Sequence, residues 1–227
     1  NSIIVNSKNF KNEIDKKFNI KSKLIYNPLN KFEILKKSKK KISIKIFKNK
    51  NSLKIINVAR FTDQKDHLTL LKAFKKVNNK INCELLIIGY GSNELKIKNY
   101  IKNNNLIGRI KILKYQENPY KFIKSSDLFI LTSKYEGLPN VLLEAMVLKK
   151  FIISSNCPTG PSEILRNGKY GFLFKVGDHK GLARLIIKYN RNPKQYNRKI
   201  LLGYKSLNKF SFENNCKKYI NQIRKII

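Results

Sequence analysis

From Leu53 onward, short apolar runs of strand character alternate with amphipathic runs of helical spacing, and only a few turn residues separate one from the next. A chain patterned this way folds as a parallel sheet with helices on both faces. Parallel neighbours need a crossover, and the crossover helix brings its apolar stripe back onto the sheet. Leu53-Lys54-Ile55-Ile56-Asn57-Val58 reads as the first strand, and Asp66 to Val77 as a helix whose apolar positions Leu68, Leu71, Phe74 and Val77 step by three. Further strands are predicted at Leu85 to Ile88, Ile110 to Leu113, Leu128 to Leu131, Phe151 to Ser154 and Gly171 to Phe174. Helices are predicted between them at Glu94 to Asn103, Tyr120 to Lys124, Val141 to Leu148 and Ser162 to Arg166. The expected class is α/β, with a doubly wound parallel sheet.

Before Leu53 the pattern differs. Ile3 to Val5 and Leu24 to Tyr26 look like strands around a polar helix, followed by the turn Asn27-Pro28-Leu29-Asn30. The stretch from Lys36 to Lys50 then holds eight lysines and no acid. Residues 1–30 read as the tail of a preceding domain and 31–51 as a Lys-rich linker, with 52–190 as the main domain and 191–227 as a helical tail. The stripe Phe212, Cys216, Tyr219, Ile220, Ile223 and Ile227 reads as core packing. Asn1 stands where Met would open a chain, and a strand begins almost at once, so the N-terminus reads as a cut edge.

The 49 Lys and Arg against 14 Asp and Glu give a net charge of +35, the electrostatic footprint of a nucleic-acid binder. Yet only seven of the basic residues are Arg, and the lysines are spread over every segment rather than clustered beside stacking aromatics. Lys, Ile and Asn share A/T-rich codons, so a composition bias accounts for the charge, and a basic nucleic-acid-binding module stays as the alternative function. Cys83, Cys157 and Cys216 lie far from one another and from His67 and His179, which argues against a zinc cluster or a disulfide scaffold and fits a reducing cytoplasm. No run approaches the roughly 20 apolar residues of a membrane-spanning helix.

In a doubly wound sheet, ligands bind outside the carboxyl ends of the strands, so the chemistry is expected in the loops that follow them. Ala59-Arg60-Phe61-Thr62-Asp63-Gln64-Lys65 carries a planar guanidinium fork and a point charge, which together suit a diphosphate whose charge grows as it departs. Alone, the pair would pass for two surface cations. Gly89-Tyr90-Gly91 lets a backbone approach a ligand closely but lacks the third glycine of the dinucleotide fingerprint. Tyr135-Glu136-Gly137-Leu138-Pro139-Asn140-Val141-Leu142-Leu143-Glu144-Ala145-Met146 places one carboxylate in a loop and another about a turn and a half inside a helix that Pro139 opens. Such a pair can serve two parts of one elongated ligand, or simply cap a helix. Asn156-Cys157-Pro158-Thr159-Gly160-Pro161-Ser162-Glu163 is a rigid turn in which Glu163 complements a helix N-terminus.

Together these loops resemble the C-terminal donor-binding domain of the retaining glycosyltransferases of family 4, with the GT-B architecture. The E-x7-E motif, Glu136 to Glu144, is the most specific element, and Arg60 and Lys65 precede it in the family's order. The likeness runs from about residue 1 to residue 190. It implies a Rossmann-like sheet, with an N-terminal acceptor domain of which this chain holds only the tail. It also implies transfer of a sugar from a nucleoside-diphosphate donor, UDP foremost, to a glycan or lipid-linked acceptor, with retention and with neither metal nor other cofactor. By this resemblance Arg60 and Lys65 hold the diphosphate and Glu136 contacts the sugar, and these three are the catalytic set. Gly89, Gly91, Tyr115, Gln116, Gly137, Leu138 and Glu144 complete the donor site, with Tyr115 and Gln116 near the base and Glu144 on the ribose. His67 has no role in this scheme and is expected at the surface. The location implied is cytoplasmic, with peripheral contact at the inner membrane face, and no nucleic-acid partner is expected. The chain departs from the family's usual glycines at Ala59, at Lys114 and at Lys149, after the motif helix. A nucleotide-sugar epimerase or a phosphorylase on the same scaffold is a third alternative.

Overall fold

The strand with the first long apolar run lies at the centre of the sheet. In the computed structural model, which describes residues 3–225, β3 (Leu53–Val58) pairs in parallel with β4 (Cys83–Ile88) on one side and β6 (Leu128–Leu131) on the other. With β5 (Ile110–Leu113), β7 (Phe151–Ser155) and β8 (Phe172–Phe174) the order is β5-β4-β3-β6-β7-β8, all parallel. Side chains alternate between two cores, as the pleat requires. Ile55, Leu85, Ile87 and Ile130 pack into one, under α3 (His67–Asn78), α4 (Glu94–Asn103) and α8 (His179–Arg191). Their neighbours Ile56, Leu86, Ile88 and Phe129 face the other, with α5 (Tyr120–Lys124) and α6 (Asn140–Val147). The doubly wound sheet is therefore as the sequence predicts, with strand and helix limits that shift by a residue or two.

The chain reverses its direction of growth between β3 and β6, and there the ladder is short: only Ile55 with Leu128 and Ile56 with Phe129 are in register. Beyond that point the strands splay. The buried Asn57 fills the gap, its Nδ2 donating to the carbonyl of Ile130 at 2.8 Å, and Thr132 Oγ1 donates to the carbonyl of Lys65 at 2.8 Å. Side-chain hydrogen bonds thus replace ladder bonds at the switch point, where a crevice opens at the carboxyl ends of the strands.

The stretch read as a linker is partly structured. α2 (Lys31–Ser38) begins at Asn30, whose side chain accepts from Glu33 N at 3.0 Å, and it packs on α5 and α6 through the buried Ile34. A capping Asn, a Glu three residues on and an ion pair between Glu33 and Lys37 at 2.6 Å outweigh the lysine-rich composition. Ahead of it, β1 (Ile4–Val5) and β2 (Lys23–Leu24) form a separate two-stranded parallel sheet around α1 (Lys8–Phe18). The C-terminal part adds α9 (Asn197–Ser206) and α10 (Phe212–Ile223), and the Tyr219 hydroxyl of α10 donates to the carbonyl of Ile25 at 3.2 Å. Phe212, Ile220 and Ile223 are exposed rather than in a core, and Ile227 lies outside the described residues. No helix among the described residues is long and apolar enough to cross a membrane.

Candidate functional site

Two loops meet at the switch point. The one after β3 carries Arg60 and Lys65, and the one after β6 carries Ser133, Glu136 and Gly137, ending at the start of α6. Lys65 Nζ donates to Glu136 Oε1 at 2.6 Å, and Ser133 Oγ donates to the same oxygen at 2.6 Å. The pair is largely buried, with side-chain exposures of 15% for Lys65 and 7% for Glu136. Backbone and side chain lace the loops further: Lys134 N donates to the Gln64 carbonyl at 2.8 Å, and Gln64 Nε2 to the Tyr135 carbonyl at 2.9 Å. The loop after β7 closes the third side. Thr159 Oγ1 donates to the Glu136 carbonyl, and Ser155 Oγ to the Ser133 carbonyl at 2.6 Å. Gly160, at φ +84°, permits this approach, because a Cβ there would lie 2.3 Å from the Gly137 carbonyl oxygen and 2.5 Å from Pro139 Cδ.

A cavity of about 360 Å³ lies at the carboxyl ends of β3, β4 and β5, lined by Arg60, Gly89, Tyr90, Tyr115, Gln116 and Tyr120 among others. Tyr90 and Tyr115 stand edge to face at its mouth, with centroids 5.9 Å apart. Arg60 is exposed, and among the described residues its guanidinium has no ion-pair partner. Gly89 lines the cavity, but its lack of a side chain serves packing: a Cβ would lie 1.9 Å from the Ala59 carbonyl oxygen. Gly91 does likewise against Phe61, with a Cβ 2.6 Å from that residue's carbonyl oxygen.

Glu144 is the one acidic side chain of α6, whose Leu142, Leu143, Ala145, Met146 and Val147 are buried. Burial pushes its carboxyl up to about 7, and hydrogen bonding with the Tyr120 phenol pulls it only partly back. The same apolar surroundings, and then Glu144 itself, raise the Tyr120 phenol to about 12. Leu138 is buried in the core beneath α6, so only its backbone is available to a ligand. Gly137 is open: beyond its chain neighbours a Cβ there would meet one atom within 4 Å, Asn6 Oδ1 at 3.9 Å. The α6 helix ends in Lys149, which takes the left-handed conformation (φ 53°) that suits glycine, and Lys150 N closes the turn on the Ala145 carbonyl at 3.0 Å.

His67 is not at the surface. It is 3% exposed, edge-on to Phe61 with centroids 5.1 Å apart, and burial pulls its imidazole down to about 4. Neither ring nitrogen has a hydrogen-bond partner among the described residues, so it packs as a neutral aromatic behind the Lys65 loop. Glu163, in α7 (Pro161–Ile164), acts on another helix than its own. Its carboxylate accepts from Lys8 N at 2.9 Å and Ser7 Oγ at 3.0 Å, at the start of α1, and from the Tyr26 hydroxyl at 2.6 Å. Ser133 and Thr159 stand in loops that the sequence marks without giving those two residues a role, and Tyr120 and Asn6 are the site neighbours that it does not single out. No three His, Cys, Asp or Glu side chains among the described residues are grouped for a metal ion.

The structure therefore brings Lys65 and Glu136 into contact, sets Arg60, Tyr115 and Gln116 around a cavity at the carboxyl ends of β3, β4 and β5, and places Glu144 beside Tyr120, another residue of that cavity's lining. Residues 38–205 match the family model described as glycosyl transferases group 1. The uncharacterized glycosyltransferase MJ1059 of Methanocaldococcus jannaschii is 36% identical over 169 residues, covering 61% of this chain and 42% of the relative. The N-acetylgalactosamine-N,N'-diacetylbacillosaminyl-diphospho-undecaprenol 4-alpha-N-acetylgalactosaminyltransferase of Campylobacter jejuni is 24% identical over 224 residues, covering 96% of this chain and 59% of the relative. The crystal structure of Anabaena Alr3699/HepE in complex with UDP-glucose superposes with a TM-score of 0.84 at 16% identity, over 99% of this chain and 64% of that one. The chain thus spans about half the length of the curated relatives it matches. It belongs to the group 1 glycosyl transferases, family 4, and carries the Rossmann-like C-terminal half of their GT-B architecture.

Proposed function

We propose that this chain is the donor-binding half of a retaining glycosyltransferase that moves a sugar from a nucleoside diphosphate, UDP foremost, to a hydroxyl of a cell-surface glycan or a lipid-linked acceptor. One observation carries the reading: the single loop after β3 bears both Arg60, which lines a cavity with Tyr90, Tyr115 and Tyr120, and Lys65, which pairs with the largely buried Glu136. A diphosphate fits against Arg60 and Lys65, the base between Tyr115 and Gln116, and the ribose diol against Glu144. When the diphosphate takes over the Lys65 ammonium, the Glu136 carboxylate becomes free to accept from the sugar's hydroxyls. The acceptor hydroxyl attacks on the face from which the nucleotide leaves, and the departing diphosphate is stabilised by the two cations, in the manner of preorganised oxyanion sites. The structure of Alr3699/HepE with UDP-glucose supports the choice of UDP, and the Campylobacter enzyme's diphospho-undecaprenol substrate supports a lipid-linked acceptor. Acceptor chemistry belongs to the facing half of the cleft, so the chain alone binds donor without turnover. Its place is the cytoplasm, in peripheral contact with the inner membrane face.

Calorimetric titration with UDP, GDP, ADP and single-stranded DNA, at low and moderate salt, tests this. Saturable binding of one nucleoside diphosphate, weakened at least tenfold by Arg60→Ala, is expected. Binding of DNA alone, abolished by salt, would overturn the donor reading and leave the basic surface as the function.

A further inference from the structure

The small N-terminal sheet points its carboxyl ends at the same loop as the large one. Asn6 directly follows β1 and Asn27 lies three residues beyond β2, and both reach the start of α6. Asn6 Nδ2 donates to Asn27 Oδ1 at 3.2 Å, and Asn27 Nδ2 donates to Asn140 Oδ1 at 2.9 Å. Asn6 and Asn27 each give one of their two N–H hydrogens to the next amide, so the chain of amides has a direction and leaves the Asn6 carbonyl as its free end. Asn6 Oδ1 accepts no hydrogen bond among the described residues, and it stands over the open face of Gly137. Glu163 holds this arrangement in place, because its carboxylate grips Ser7 and Lys8, which follow Asn6, and Tyr26, which precedes Asn27.

We infer that Asn6 is a donor-sugar residue supplied by the N-terminal segment, its side-chain carbonyl accepting a hydroxyl hydrogen of the sugar carried past Glu136 to Gly137, with Asn27 as the positioning residue that holds it. The inference rests on the donor reading above. Its chemistry is selective: a bare carbonyl oxygen offers nothing to a phosphate, which has no hydrogen to give near neutral pH, and suits a hydroxyl. A sugar attached to a diphosphate held by Lys65 must lie near Glu136, and Gly137 is the next residue along that path. Asn6 therefore distinguishes a nucleotide that carries a sugar from one that has lost it.

The test is equilibrium titration of the 227-residue chain with UDP and, separately, UDP-glucose, UDP-galactose, UDP-N-acetylglucosamine and UDP-N-acetylgalactosamine. The wild-type chain is expected to bind one UDP-sugar more tightly than UDP. Asn6→Ala should weaken that UDP-sugar about five- to tenfold, the worth of one hydrogen bond, while changing UDP less than twofold. Asn27→Ala should give the same split at about two- to threefold, with thermal melts reporting the fold of each variant. If either fails to fold, Asn140→Ala cuts the exposed end of the chain of amides and must show the same split. Equal weakening of UDP and UDP-sugar would mean that Asn6 only docks the segment, and no change in either would also overturn the inference. So would a wild-type chain that binds UDP but gains nothing from any sugar, although the donor reading would then stand. If no UDP species binds, both fall together.

Discussion

Glu136 and Glu144 are the two ends of one motif, eight residues apart, and the fold gives them opposite surroundings. Glu136 lies in a loop, at 7% side-chain exposure, yet it has an ammonium and a hydroxyl on one oxygen. Glu144 lies on a helix whose buried residues are otherwise apolar, and burial there raises its carboxyl to about 7 despite the hydrogen bond with the Tyr120 phenol, which lowers it. The difference teaches that two carboxylates of one motif can be buried with different partners, one with a cation and one without. It also divides the labour. A carboxylate already committed to a lysine can be released when a diphosphate arrives, whereas one without a cation is poised to exchange its proton for a ligand's hydroxyls.

The comparison breaks most easily at Glu136. Glu136→Ala leaves Lys65 largely buried without its counterion, and stranding one member of such a pair costs about 3 kcal/mol. Lys65→Met in the same chain should recover a large part of that loss, because the uncompensated charge goes with it. Urea unfolding of the two single variants and the double variant measures the coupling; a single-variant loss under about 0.5 kcal/mol would mean that the pair does not hold the loops together.

At Glu144 the sign reverses. Its carboxyl titrates near 7 in the folded chain against about 4.5 unfolded, so the folded state binds the extra proton between those values. Stability linked to this group is full below about 4.5, falls as pH rises through the window, and is fully lost above 7. Glu144→Gln removes the ionisation without changing the shape, so it should stabilise the chain on the order of 2 kcal/mol at pH 8 and leave it unchanged at pH 4. Denaturant midpoints of the two proteins across that range should diverge between pH 5 and 7. Parallel curves would show that Glu144 is ionised in the folded chain at ordinary carboxylate pH.

Much of this was legible from the sequence, and the limit follows a physical line. Strands such as Leu85 to Ile88 and Leu128 to Leu131 were readable because a parallel sheet buries both faces and its strands become continuous apolar runs. The residues of the two meeting loops were readable as types, through the order Arg60, Lys65, Glu136 and Glu144. Their pairing was not, because 71 residues separate Lys65 from Glu136 and nothing local encodes the contact. The same holds for Ser7 and Glu163, 156 residues apart, and for Asn6 over Gly137. His67 was misplaced although a signal existed: it stands with Leu70, Leu71 and Phe74 at helical spacing on the face that packs inward. α2 was hidden by its lysines, although Asn30 and Glu33 carried a capping signature.

The finest test of the contrast between the two carboxylates is the pH dependence of donor binding. If the ribose diol donates to Glu144, the ligand needs the carboxylate, and below about 7 binding must first remove a proton. The affinity for UDP-glucose should then be about tenfold lower at pH 6 than its plateau above pH 8, with one proton released per ligand bound at the lower pH. UDP-glucose is the proper probe because each of its phosphates is substituted on both sides and has no ionisation near neutral pH, whereas free UDP carries a terminal phosphate that titrates near pH 6 and would blur the result. Glu144→Gln should bind more weakly at pH 8 but with a flat profile. A profile that persists in Glu144→Gln would assign the proton to another group and would remove Glu144 from the ribose, while leaving the diphosphate held by Arg60 and Lys65.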